Sequence, residues 1–129
     1  MRQNMNIINI EKLDGHKIIV LTGRDKNVRK IAKSLQARLY YCPREFDYFM
    51  DYPDVVNELQ ESLMHEKDIV IITTQSAEFL DCLLESNIDF VLATVRKYDK
   101  DDNDTYRLHV ITKEMAWKFR CDYNMELRV

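Results

Sequence analysis

Glycine and proline are scarce: Gly15, Gly23, Pro43 and Pro53 are the whole supply in 129 residues. That scarcity excludes flexible Gly/Ser or proline-rich linkers, and a chain of this length has room for one core and one domain. Cysteine is sparse too. Cys42, Cys82 and Cys121 are odd in number, widely spaced and lack a C-x-x-C pair, which argues against a disulfide framework or a zinc site and points to a reducing cytosol. No run approaches the ~20 apolar residues that cross a bilayer, and the opening MRQNMNIINIEKLDGHK holds no signal-like apolar stretch. A soluble, cytoplasmic chain without membrane contact is the expectation. Positive charge is not in excess. The net charge of −3 gives no global basic field for unspecific nucleic-acid binding, leaving only a local basic face for that purpose.

What the chain does have is hydrophobic periodicity. Residues 5–10 (MNIINI) and 17–22 (KIIVLT) read as two strands joined through the turn at 13–16. The second is continuously apolar, as a strand buried on both faces would be. Val28, Ile31, Ala32 and Leu35 fall at helical spacing, predicting a helix over 27–36, entered from the strand through Thr22-Gly23-Arg24-Asp25-Lys26. A short strand over 37–42 stops at Pro43. An aromatic and acidic stretch over 45–52 reads as loop or short helix, and Pro53 with Asp54 opens a second helix carrying Val55, Val56, Leu59, Leu63 and Met64. Residues 68–74 (DIVIITT) are the clearest buried strand. Ser76 stands at an N-cap position before a helix with Phe79, Leu80, Leu83 and Leu84 on one side. Strands over 89–98 and 105–112 flank a polar turn at 99–104, a hairpin signal, and a final helix starts near Thr112. The order of elements through residue 90 predicts an α/β domain with a mainly parallel sheet, closed by a C-terminal hairpin and helix.

In this order the segments resemble the head domain of archaeal and OLD-like ATPases of the ABC/SMC class, within the P-loop NTPases. MNIINIEKLDGHKIIVLTG matches the opening strand, turn and strand that lead into a phosphate loop. Residues 71–80 (IITTQSAEFL) are similar to the switch segment, where an apolar strand ends in Thr-His-Ser before a helix. The hairpin with Tyr106-Arg107-Leu108, the helix with Glu114 and Ala116, and the closing Glu126-Leu127-Arg128 complete the likeness. It covers nearly the whole chain. The long segment that such heads place before the acidic Walker B strand, with its helical lobe and signature motif, is missing.

The resemblance also implies a chemistry that the residues depart from. A phosphate loop G-x-x-x-x-G-K-[ST] needs glycines for close backbone wrapping, a Lys for the β/γ oxygens and a hydroxyl for Mg²⁺. Aligned on Gly23, Val28 replaces the second glycine, Arg29 the Lys, and Lys30 the hydroxyl. The strand Arg38-Leu39-Tyr40-Tyr41 ends in Cys42-Pro43-Arg44 where Asp-Glu would hold the metal, and Glu45 and Asp47 are out of register. Gln75 takes the place of the switch His. The expectation is a non-catalytic, pseudo-ATPase-like interaction module with a protein partner or homo-oligomer, since the heads it resembles work in pairs. Alternatives are a nucleotide-binding or very slow NTPase using Arg29 or Lys30, and a small nucleic-acid-associated protein.

The residues that would serve a residual phosphate, nucleotide or anion site are Gly23, Arg24, Lys26, Arg29, Lys30, Gln75 and Ser76. Each also has a structural reading: the basic residues as a solvated helix face, and Ser76 as an N-cap. No catalytic residue, resident cofactor or metal site is expected. Asp47, Asp51 and Asp54 read as a solvated acidic loop, and His16, His65 and His109 form no recognisable constellation. The rings of Tyr40, Tyr41, Phe46, Tyr48, Phe49 and Tyr52 suit either cover for surface that the missing lobe would occupy or a partner interface.

Overall fold

The computed structural model describes residues 6–43, 50–97 and 105–127, with side chains described through residue 120. Six strands form one sheet: β1 (Asn6–Ile8), β2 (Ile18–Thr22), β3 (Arg38–Tyr41), β4 (Val70–Thr73), β5 (Val91–Lys97) and β6 (Thr105–Thr112). The helices are α1 (Asp25–Leu35), α2 (Tyr52–Met64), α3 (Ala77–Glu85) and α4 (Lys113–Leu127), with a 3-10 turn at Ile10–Leu13. The sheet order is β1-β6-β5-β2-β4-β3. All neighbours pair in parallel except β5 and β6, whose antiparallel register runs from Val91↔Thr112 to Lys97↔Tyr106.

Alternation along the central strands explains why they are apolar throughout. In β2, Ile19 and Leu21 join the core under α1, while Val20 joins the core on the other face. In β4, Ile71 faces the first core and Val70 and Ile72 the second. Val28, Ile31 and Ala32 of α1 cover one face together with Ile10 and Leu13 of the 3-10 turn. Val55 and Leu59 of α2, Phe79 and Leu83 of α3, and Ala116 of α4 cover the other. The molecule is therefore a three-layer α/β domain.

Two expectations need correction in detail. The two strands at 5–10 and 17–22 are present, but the first is only three residues long, a 3-10 turn precedes the connection at 13–16, and β1 lies at the far sheet edge with β6 and β5 between it and β2. The chain turns away because Asn9 takes φ 71° and leads into the 3-10 turn, while its side-chain amide donates to the Leu108 carbonyl at 3.1 Å. The first helix begins at Asp25, two residues earlier than its apolar spacing suggests. The mainly parallel sheet, the β5–β6 pairing and the closing helix stand as expected. The polar turn at 99–104 and the aromatic residues at 46, 48 and 49 lie outside the described residues.

Candidate functional site

Between β2 and α1 the connection is only Gly23 and Arg24. Gly23 adopts φ 147°, and a Cβ there would stand 2.7 Å from Val95 Cγ1 and 3.0 Å from the Val95 carbonyl oxygen. The glycine at the place of the loop's first glycine is thus required by close approach of β5. From Asp25 onward the backbone is helical. The amides of Asn27 and Val28 donate to the Arg24 carbonyl at 2.9 and 3.0 Å, and Val28 is fully buried in the core. Residues 25–28 form the first turn of a helix, with the Asn27 and Val28 amides used in helix bonding and the Val28 side chain in packing.

The sheet order places the connections after β2, β4 and β3 side by side. The β2 connection leads to α1 on one face, and the β4 connection leads to α3 on the other. Between strands whose connections diverge in this way, open α/β sheets form a crevice at their carboxyl ends that commonly takes ligands. A cavity of about 480 Å³ occupies this position, lined by Asp25, Cys42, Pro43, Thr73, Thr74, Gln75 and Ser76. Gln75 and Ser76 therefore do meet the start of α1. Ser76 is occupied as a helix cap: its hydroxyl accepts from the Phe79 amide at 3.1 Å, and its own amide donates to Thr74 Oγ1 at 3.1 Å. Among the described lining residues Asp25 carries the formal charge, and it is paired with Arg29, so the lining of this crevice offers no cation to a polyphosphate.

The cations point elsewhere. Gly23, Arg24 and Lys26 line a second cavity of about 480 Å³ on the opposite side of the turn, against Thr94, Arg96, Lys97 and Tyr106. Arg29 pairs with Asp25 one helical turn back at 3.1 Å, with both side chains largely exposed. Lys30 donates to the Tyr106 hydroxyl at 2.9 Å and lies 5.4 Å from the centre of its ring. The seven candidate residues are thus divided: Gln75 and Ser76 in the switch-point crevice, Gly23, Arg24 and Lys26 in the basic cleft, Arg29 and Lys30 engaged on α1. Sequence reasoning missed Asn27, Thr94 and Arg96, which complete the basic cleft. The signal was present in Arg96-Lys97 closing an apolar strand, but only the parallel β2–β5 pairing brings them to the turn.

Other reactive groups offer little chemistry. The Cys82 thiol is pushed above its ordinary pKa by burial first, then by Glu85, Asp51 and Glu78, which disfavours a nucleophilic thiolate. Asp51 accepts from the Asp54 amide at 3.1 Å as the cap of α2, and the Asp51 carboxyl raises the pKa of Asp54 by hydrogen bonding and repulsion. Among the described residues no group of three His, Cys, Asp or Glu side chains is placed to hold a metal ion. No described helix is long and apolar enough to cross a membrane.

Fold and crevice define the class: a three-layer α/β domain with a crevice at the switch point of its sheet and a separate basic cleft beside it. No protein-family model, curated protein or solved structure gives a match to the chain.

Proposed function

We propose that this chain is a non-catalytic interaction module of pseudo-ATPase type, which keeps the sheet of a P-loop-like head and pairs with a second copy of itself. The observation that carries the reading is the two-residue β2–α1 connection. A loop that wraps a polyphosphate needs several consecutive free amides, and here the Asn27 and Val28 amides already bond to Arg24. The lack of a cation among the described lining residues of the switch-point crevice, and the engagement of Arg29 with Asp25 and of Lys30 with Tyr106, agree with it.

Support for pairing comes from α4. Met115 and Phe119, one turn apart, are 59% and 71% exposed, while Ala116 between them anchors the helix in the core. Large apolar side chains exposed together favour association. Sedimentation equilibrium should show a dimer that Phe119→Glu converts to monomer, and a wild-type chain that stays monomeric would remove self-association. In a magnesium-ATP phosphate-release assay, wild type, Arg29→Ala and Lys30→Ala should all sit at background. Turnover lost in either variant would overturn the non-catalytic reading.

A further inference from the structure

We infer that the basic cleft on the β5 side of the Gly23–Arg24 turn is a binding site for a phosphorylated small molecule, held by its phosphoryl group. This goes beyond the pairing proposed above and stands independently of it. Four cations line the cleft from two directions: Arg24 and Lys26 from the start of α1, and Arg96 and Lys97 from the end of β5. Among the described residues Arg24, Lys26 and Arg96 are not ion-paired to a carboxylate. In a chain whose net charge is −3, three cations without a described carboxylate partner in one concavity define a local field for an anion.

A second observation comes from Asn27. Its side chain is nine-tenths buried, lines this cleft and makes no hydrogen bond among the described residues. A carboxamide carries two donors and an acceptor, and those of Asn27 open onto the cleft, unlike the Ser34 hydroxyl, which is sealed in the interior. An oxyanion accepting from Nδ2 satisfies that group, and the guanidinium groups of Arg24 and Arg96 supply charge-assisted donors. The helix start adds to the field, because Arg24 provides no side-chain acceptor to cap α1.

The dimensions select among anions. A cleft of about 480 Å³ falls in the range of small-molecule sites, and its described cations come from two short stretches of chain. The recognition differs in kind from a phosphate loop: side chains from two elements approach the phosphoryl group, and the backbone does not wrap it.

The test is a titration of the ¹⁵N-labelled full chain, followed by amide chemical shifts, with inorganic phosphate, adenosine 5′-monophosphate and adenosine. Saturable shifts at Gly23, Asn27, Val95 and Arg96 are expected with the first two and none with adenosine. Tighter binding of the monophosphate assigns the site to a phosphoester; equal binding assigns it to free phosphate. Arg96→Ala, an exposed change that does not threaten folding, should weaken binding about tenfold or more, as should Asn27→Ala. Lys33→Ala, on α1 outside the cleft, should leave it unchanged. The inference is overturned by an absence of saturation at millimolar phosphate, by an equal response to adenosine, by shifts confined to residues 73–76, by Arg96→Ala without effect, or by a response to single-stranded DNA alone.

Discussion

Gly23→Ala would drive a methyl into Val95 from a backbone conformation that L-residues rarely adopt. Strain and overpacking together should lower unfolding free energy by about 2 kcal/mol or more, read as a reduced urea midpoint with unchanged slope. An equal loss would not follow at Gly15, whose added Cβ meets nothing within 4 Å, although its φ of 83° retains some strain. Ser34 presents the opposite case. Its hydroxyl is buried on α1 with no hydrogen-bond partner among the described residues, so the group is desolvated without compensation there. Ser34→Ala removes that group and improves helix propensity, and should raise stability by up to about 1 kcal/mol; a loss of that size in the same urea melt would show that the hydroxyl has a partner. At this scale the sequence was only half legible. Val28 and Gly23 stood out against the pattern of a phosphate loop, but the burial of Val28 and the approach of Val95 to Gly23 depend on β5, some seventy residues away.

The helices differ in how they begin. Asp51 and Ser76 cap α2 and α3 through their side chains, whereas Arg24 contributes no acceptor to α1. Ser76→Ala should therefore cost about 1 kcal/mol of stability, and a larger effect on any ligand response than on stability would mark Ser76 as part of a binding site. The closing helix is held by charge: Arg120 bonds to both carboxylate oxygens of Asp81 on α3, and Lys113 Nζ donates to the carbonyls of Ser86 and Ile88 at 2.5 and 2.6 Å. Burial lowers the Lys113 pKa below 10.5, against the smaller opposing influence of Asp89. With a folded pKa below the unfolded one, charging this lysine opposes folding, so its contribution improves as pH rises through the folded value towards 10.5. Relative to Lys113→Met, the wild type should gain stability over that alkaline window, and a difference that shrinks would contradict the assignment. Element types were readable because apolar runs and helical spacing report burial directly. The placement of β1 was not, since its partner β6 is set by long-range register and by the left-handed Asn9.

For the whole molecule, the decisive feature is the sheet order. It brings the connections after β2, β4 and β3 together and so builds a crevice, while the β2–β5 pairing builds a basic cleft on the other side of one short turn. A linear reading joined Arg24, Lys26, Gln75 and Ser76 into one site because it could not divide them between two sides of a strand end. The central claim is that residues 25–28 are a helical turn and cannot rearrange into a phosphate loop. Carbon chemical shifts and amide exchange of Asp25 to Val28, with and without magnesium-ATP, test it most directly. Helical shifts and a protected Val28 amide in both conditions are the predicted result, whatever anion occupies the neighbouring cleft; loss of helical shifts and of protection on adding magnesium-ATP would contradict it.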